Sequence, residues 1–285
     1  MISVIILTWN SSQHIGSCLG SLFAEVKRSN REVKVLVTDN GSTDGTREIL
    51  EEYENRYPQL GTTFLDKNMG TTVPRNRGVE KSNGRFLLFL DSDTEIKPGL
   101  LDVLPKTLTS NKEIGMLGPR LLNPDGTVQA SCKKFPTLQI KVSKFSPVEF
   151  LVNWGRNKEL YDPAVYKKEF EELIEVDHCI SATWMMRREV FEEVGGLDEK
   201  IFYAPEDVDF CLRTWLEGYR VGYQPKAEVV HQAQRIGYDK LSLSLKHLQG
   251  LVYYFRKYNY LFSREKIYEK IKTENEDFRK TPMLV

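Results

Sequence analysis

The run Arg85-Phe-Leu-Leu-Phe-Leu-Asp-Ser-Asp93 limits this chain more than any other stretch. Phe86 to Leu90 is apolar at every position, with no polar alternation. Such a run is a strand covered on both faces, so the fold must place a layer on each side of a sheet. The run stops at two carboxylates one residue apart, Asp91 and Asp93. In open α/β sheets, ligands bind outside the carboxyl ends of the strands. Hard cations such as Mg²⁺ or Mn²⁺ take oxygen ligands and often share them with phosphate. The pair therefore points to a metal site that holds a diphosphate. Taken alone, Asp-x-Asp is short and common, and a solvated loop explains it as well.

The rest of the first half repeats the strand-then-helix pattern. Ser3 to Thr8 is a buried strand, followed by Ile15, Cys18, Leu19, Leu22, Phe23 and Val26 at helical spacing. Val33 to Thr38 is a second strand, ending in Asp39-Asn-Gly-Ser-Thr-Asp-Gly45. A helix then spans Thr46 to Tyr53, with Ser42 or Thr43 as its cap. Thr62 to Leu65 is a weaker strand, and Asn68-Met-Gly70 opens a helical stretch through Gly78. Pro98 starts a helix carrying Leu101, Leu104 and Leu108, and Ile114 to Leu117 is another strand. This alternation predicts a layered α/β fold with a mixed, mostly parallel sheet.

Beyond Pro119 the pattern loosens. Asn123-Pro-Asp-Gly126 is a turn. Residues 135–175 read as irregular, an insertion that is mobile or faces an acceptor. Order resumes with Val176 to Ser181 and Thr183 to Met186, then a helix over Arg188 to Val194 stopped by Gly195-Gly196. A further helix leads through Glu217. Strands follow at Arg220 to Tyr223 and Ala227 to Val230, with His231 just past the second, and the chain is helical from Leu241.

Bulk properties exclude several classes. Lys+Arg and Asp+Glu are 40 each, so nothing in the charge argues for nucleic acid as a partner. The cysteines Cys18, Cys132, Cys179 and Cys211 lack metal-ligand spacing and read as free thiols. No basic segment with an apolar signal core precedes the first strand, and no apolar stretch reaches the roughly 20 residues needed to cross a bilayer. The expectation is a cytoplasmic protein, at most peripheral at the inner face of the plasma membrane. There is neither a Gly-x-Gly-x-x-Gly after the first strand nor a phosphate loop. That argues against a dinucleotide oxidoreductase and an ordinary phosphate-loop NTPase.

Acidic residues fall at three places: Asp39, the Asp91/Asp93 pair, and Glu206-Asp207-Val-Asp209. Each has a plain explanation. Asp39 can begin a turn. Glu206 and Asp207 suit the first turn of a helix. Asp209 can pair with Arg213 one turn on.

Their order resembles the family 2 glycosyltransferases with the GT-A fold. The matching pieces are Val4-Ile-Ile-Leu-Thr-Trp-Asn10, Val37-Thr-Asp-Asn-Gly-Ser-Thr-Asp-Gly45, Asn68-Met-Gly70 with Arg75-Asn-Arg-Gly78, Phe89-Leu-Asp-Ser-Asp93, and Val194-Gly-Gly-Leu-Asp-Glu199 through Glu206-Asp-Val-Asp-Phe-Cys-Leu-Arg213. The segment with Pro225-x-Ala-x-Val-x-His231 looks most like the rhamnosyltransferase-type branch that builds bacterial surface polysaccharides. The resemblance implies one GT-A domain over residues 1–235, with a nucleotide-sugar-binding half at 1–118 and an acceptor and catalytic half at 119–235. A C-terminal helical extension covers 236–285.

It also implies roles. Thr8, Asn10 and Asp39 belong to the nucleoside pocket, closed by Asn68 and by Arg75 and Asn76. Asp91 and Ser92 sit at the ribose and diphosphate. Asp93 and His231 take the cation, Mg²⁺ or Mn²⁺. Asp207 is the catalytic base, with Glu206 the alternative, and Trp184 and the segment before it line the sugar and acceptor pocket. Two departures, Pro74 in place of a small residue and Ala182-Thr183-Trp184 in place of a Gly-Ala pair, leave the choice of sugar open.

The implied reaction moves a sugar from a dTDP- or UDP-sugar, first of all dTDP-rhamnose, to a hydroxyl of a saccharide or lipid-linked saccharide. No Ser, Cys or Lys is arranged as a nucleophile, so one direct displacement with inversion is expected. Two other readings are a sugar-nucleotide pyrophosphorylase, which should carry a Gly-rich basic loop near its N-terminus, and a non-catalytic sugar-nucleotide binder. The C-terminal helices mix aromatic residues with Lys246, Arg256 and Lys257. They suit a membrane surface, or packing on the domain, or a homodimer contact.

Overall fold

Phe86 to Leu90 lies at the heart of the sheet, and its two faces feed two separate cores. Leu87 and Phe89 join the cluster that holds Trp184, Phe191 and Phe210. Leu88 and Leu90 join the cluster of Ile6, Leu19, Leu22 and Leu104. Side chains alternate along a strand, so one covered on both sides must be apolar throughout. The computed structural model describes residues 1–144, 146–233 and 241–275, with the backbone alone for 241–244.

In chain order the first half comprises β1 (Ile2–Thr8), α1 (Ile15–Ser29), β2 (Val33–Asp39), α2 (Thr46–Arg56), β3 (Leu60–Phe64), α3 (Thr72–Glu80), β4 (Phe86–Asp91), β5 (Thr94–Ile96), α4 (Leu100–Ser110) and β6 (Ile114–Leu122). The second half comprises β7 (Cys132–Lys133), α5 (Leu138–Ser143), α6 (Glu149–Glu159), a 3₁₀ turn (Pro163–Tyr166), β8 (Ile174–Glu175), β9 (His178–Cys179), β10 (Thr183–Arg187), α7 (Arg188–Val194), α8 (Glu206–Leu216), β11 (Arg220–His231), α9 (Leu241–Tyr258) and α10 (Glu265–Glu274).

The main sheet runs β3-β2-β1-β4-β10-β6-β11-β5, with β8 beside β11. Pairing is parallel from β3 through β4, as the strand-helix alternation requires. A late strand then enters the middle: β10 is antiparallel to both β4 and β6. The sheet is therefore a mixed α/β sheet flanked by helices, of the GT-A kind. No described helix is long and apolar enough to cross a membrane.

Several local expectations are corrected. The cap of α2 is Gly45 at φ 87, not Ser42 or Thr43. Ser42 instead accepts the Asn10 N–H at 2.8 Å. Helix α4 begins at Leu100, after Gly99 takes a left-handed conformation, two residues later than Pro98 suggested. The two strands expected after Gly218 are one strand, β11, whose register against β6 slips between Gln224 and Glu228. Pro225 in that interval cannot donate to the ladder, which accounts for the slip. Residues 135–175 are not structureless, because they hold α5, α6 and the 3₁₀ turn.

The tail helices pack on the domain. Gly250 of α9 lies so close to the Ala204 carbonyl that a Cβ there would collide with it. Lys257 pairs with both Asp198 and Asp209 at 2.7 Å. Asn275, just past α10, donates to the Trp215 and Leu216 carbonyls at the end of α8. The boundary drawn at residues 235 and 236 lies outside the described residues. All four cysteines are buried and unbridged.

Candidate active site

Three strand ends and one helix start converge on a cleft of about 380 Å³. Parallel register sets Thr8 beside Asp39 and Leu7 beside Asp91, so the carboxyl ends of β1, β2 and β4 open in one place. The short antiparallel pairing of β5 with β11 lays His231 opposite Thr94. The Gln232 N–H then bonds to the Asp93 carbonyl at 2.9 Å. Helix α8 delivers Glu206 and Asp207 in its first turn. Asn68, Arg75, Asp91, Ser92, Asp93, Glu206, Asp207 and His231 all line the cleft.

Arg75 joins the two acidic pairs. It is buried, and it bonds Asp91 at 2.5 Å and Glu206 at 3.2 Å. Glu206 also accepts from the Ser181 hydroxyl at 3.1 Å. Burial works against the charge on Arg75, but Asp91 and Glu206 outweigh it and hold the guanidinium firmly protonated. Burial also raises the Asp91 carboxyl, against the pull of Arg75 and with a further push from Asp93.

Asp207 is different. Its carboxylate accepts the Val208 N–H at 2.8 Å. Burial, reinforced by the charge of Glu206, pushes it up to about 6, while Lys141 and Lys133 pull the other way. A carboxyl group near that value is ionised at neutral pH and still basic enough to accept a proton as a bond forms.

Asp91, Asp93 and His231 can offer ligand atoms that all lie within 4.8 Å of one another. His231 Nε2 stands 3.7 Å from Asp93 Oδ1. The other ring nitrogen, Nδ1, meets Gln129 Oε1 at 2.9 Å, and Gln129 Nε2 donates to the His231 carbonyl at 2.7 Å. This two-point hold fixes the ring and aims Nε2 at the carboxylates. Two carboxylates and one imidazole suit Mn²⁺ or a similar divalent ion.

The remaining expected residues divide. Ser92 lines the cleft, and its hydroxyl meets that of Ser11 at 2.8 Å. Asp39 is 0% exposed, with one carboxylate oxygen bonded to Arg47 Nε at 3.0 Å and to the Ser42 N–H at 3.1 Å. Its other oxygen, and the neighbouring Thr8 hydroxyl, are buried with no hydrogen-bond partner among the described residues. Unsatisfied buried polar atoms are rare, and two side by side in register need a reason. Asn10 accepts the Thr43 N–H at 2.9 Å and so holds the loop after β2.

Asn76 does not face the cleft: it clasps Leu197, donating to its carbonyl at 2.9 Å and accepting its N–H at 3.0 Å. Trp184 does not line the cleft either, whereas Ile180, Ser181 and Ala182 in the segment before it do. It is 1% exposed, stacks on Phe210, and donates its indole N–H to the Cys179 carbonyl at 3.1 Å. Position in β10 decides this, because Trp184 pairs with Phe89 and shares its apolar side. Asp209, in contrast, pairs with Arg213 at 2.9 Å, as the helix spacing suggested.

Two positioning residues were missed. Gln129 sits beyond a turn with no periodic signal. Asn40 stands inside the Asp-Asn-Gly-Ser run, where turn chemistry masked it. Its side chain donates to Asn68 Oδ1 and to the Gly70 carbonyl and accepts the Met69 N–H, so it ties the two loops together. Gly70 has a positive φ, and a Cβ there would strike the Phe202 carbonyl. That carbonyl also accepts the Thr71 N–H at 2.8 Å. The close approach draws the loop before Glu206 against the first half.

Comparison with known proteins agrees with this geometry. A family model described as glycosyl transferase family 2 matches residues 3–195, more than half of the chain. An N-acetylglucosaminyl-diphospho-decaprenol L-rhamnosyltransferase of Mycobacterium tuberculosis is 29% identical over 261 residues, covering 87% of this chain and 81% of that protein. Glycosyltransferase AglE of Haloferax volcanii is 26% identical over 236 residues, 83% of this chain and 68% of AglE. Among solved structures, the mannosyltransferase PcManGT of Pyrobaculum calidifontis, in complex with GDP-Man and Mn²⁺, superposes with a TM-score of 0.60 at 18% identity, over 90% of this chain and 63% of its own. At that identity the likeness speaks for the fold. The family match and the converging acids together settle the class: this chain is a glycosyltransferase and belongs to glycosyl transferase family 2.

Proposed function

We propose that the protein transfers a sugar from a dTDP- or UDP-sugar, first of all dTDP-rhamnose, to a hydroxyl of a lipid-linked saccharide in surface polysaccharide synthesis, with inversion at the anomeric carbon. The observation that carries this is the presence of Asp207 in the same cleft as Asp91, Asp93 and His231. The acceptor class follows the relative from M. tuberculosis, whose name describes N-acetylglucosamine on a lipid diphosphate.

In this reading the donor nucleoside lies over the ends of β1 and β2. The unpaired oxygens of Thr8 and Asp39 support that placement, since a base or ribose donor would satisfy them after a small adjustment. Asn40 and Asn68 hold the edge of the pocket. Asp91, Asp93 and His231 would hold the divalent cation, which would neutralise charge on the departing diphosphate. Gln129 keeps His231 turned toward it. Arg75 fixes Asp91 and Glu206, so the acids keep their places when the cleft fills.

Asp207 accepts the proton of the acceptor hydroxyl as its oxygen bonds to the anomeric carbon. The bond from that carbon to the phosphate oxygen breaks, and its electron pair leaves with the nucleoside diphosphate. The cleft holds both partners in line. The test is release of nucleoside diphosphate from a panel of donors with Mn²⁺ or Mg²⁺ and an N-acetylglucosaminyl diphospholipid acceptor. Faster release with dTDP-rhamnose and acceptor than with donor alone is expected. Donor binding without release from any donor would overturn the assignment.

A further inference from the structure

Beside Asp207 stands a group of charges that the reaction so far leaves without a task. Glu159, at the end of α6, is 3% exposed and faces three ammonium groups: Lys144 at 2.6 Å, Lys141 at 3.4 Å and Lys133 at 4.0 Å. One carboxylate cannot balance three cations, so the group carries surplus positive charge. Burial raises the Glu159 carboxyl, yet Lys141, Lys133 and Lys144 together bring it down to about 2. Burial pulls Lys141 down and the repulsion from Lys144 and Lys133 adds to it, while Glu159 and, more weakly, Asp207 oppose this. Lys141 thus stays less basic than usual, burial being the larger cause and its two like-charged neighbours the smaller.

The position of the group gives the missing anion its direction. Lys141 and Lys133 are near enough to Asp207 to pull on its carboxyl. These lysines do not line the cleft itself but stand behind its Asp207 wall, and Lys141 and Lys144 also act, after burial, on His247 of α9, as does Glu206 of the cleft. The donor diphosphate belongs across the cleft, at Asp91, Asp93 and His231. Around the lysines the surface is apolar where it meets solvent. Val142 adjoins Lys141, Phe150 of α6 is 73% exposed, and Phe262 is 61% exposed. Leu261, next to Phe262, accepts the Leu138 N–H at 2.8 Å and so sits against the start of α5.

We propose that Lys133, Lys141 and Lys144 form the subsite for the diphosphate of a lipid-linked acceptor, with the lipid lying along the exposed apolar side chains of α5, α6 and the 261–262 loop. This rests on the transferase reading above and adds the reason for its choice of acceptor. Each ammonium supplies charge-assisted hydrogen bonds to phosphate oxygens. The apolar rim meets the chain or the membrane surface it comes from.

The test uses the full chain with two acceptors: N-acetylglucosamine joined through a diphosphate to a short alkyl chain, and the neutral alkyl N-acetylglucosaminide. Wild-type kcat/KM should favour the diphosphate acceptor. Lys133→Gln, Lys141→Gln and Lys144→Gln should each cut that preference roughly tenfold, the scale of one charge-assisted hydrogen bond, through acceptor KM rather than donor KM. Lys144→Arg should restore most of it. Inorganic pyrophosphate should compete with the diphosphate acceptor in the wild type and lose that competition in Lys141→Gln. Equal use of both acceptors by the wild type would overturn the subsite while leaving the transferase reading standing. So would variants that lose both acceptors in parallel. No turnover of either acceptor with any donor would overturn both.

Discussion

Two acidic pairs meet in the cleft, and they are built differently. Asp91 and Asp93 stand at the end of a buried strand, where parallel pairing to β1 sets the backbone. Glu206 and Asp207 stand in the first turn of a helix, where the four leading N–H groups favour negative charge. Arg75 reaches across and holds one member of each pair, Asp91 and Glu206. The other members differ. Asp93 faces an imidazole, and Asp207 sits where burial raises its carboxyl to about 6. In the proposed reading, one fold makes a cation site and a proton acceptor from the same side-chain chemistry, by giving each a different neighbour.

The largest effect should come from separating the roles of the pairs. Asp207→Asn should lower kcat by about 10³-fold, within the range of general acid–base catalysis, with donor affinity retained in a calorimetric titration. Wild-type kcat/KM should rise with pH through about 6, because the carboxyl must ionise before it accepts a proton. The same shift has a stability consequence of opposite sign. The folded state binds this proton more tightly than the unfolded chain, whose carboxyl keeps an ordinary value near 3.8. The contribution of Asp207 to stability therefore falls as pH rises from about 4 to about 6. Asp207→Asn should remove that arm, which thermal melts at pH 4.5 and 7.5 would read. A mutant that keeps its turnover would end the distinction between the pairs.

Next in size is the bridge. Arg75→Met should cost about 3 kcal/mol in urea unfolding, because it leaves Glu206 buried and unpaired and Asp91 without its cation. If stability hardly changes, the pairs are held independently and Arg75 does not link them. A smaller change is expected at Gln129→Leu, which frees the His231 ring. Mn²⁺ affinity should fall roughly 10- to 100-fold, the usual cost of losing such a partner. The smallest is Trp184→Phe, which should lose about 1 kcal/mol of stability with the indole hydrogen bond and leave donor KM unchanged. A rise in donor KM would return Trp184 to the pocket lining.

The parts legible beforehand were those with a local cause. A strand apolar at every position had to be covered twice, and the acids after it had to leave the core. Glycine pairs and helical spacing marked α7 and α8. What stayed hidden depended on distant partners. An apolar run does not say whether its neighbour is parallel, so the entry of β10 beside β4 was not readable. Helix α6 gave no apolar stripe to recognise, because it buries Gly155 and Glu159 and exposes Phe150 and Leu151. Trp184 looked like a ligand platform from its place in a motif, but its strand partner Phe89 draws it into the core. Asn76 and Gln129 act through backbone groups more than 100 residues away, which no window along the chain contains.

The late entry of β10 has a consequence for how the chain is made. When the ribosome has delivered β1 through β6, the seat between β4 and β6 is still vacant, and the peptide groups of Phe86 to Leu90 are open on one side. They stay open until Thr183 to Arg187 emerge. A bare, fully apolar strand edge is a template for any other chain in the same condition. A fragment ending at residue 122 should therefore precipitate, whereas one that reaches past β11, which covers the other side of β6, should stay in solution; the nascent protein has an interval of exposure written into its topology.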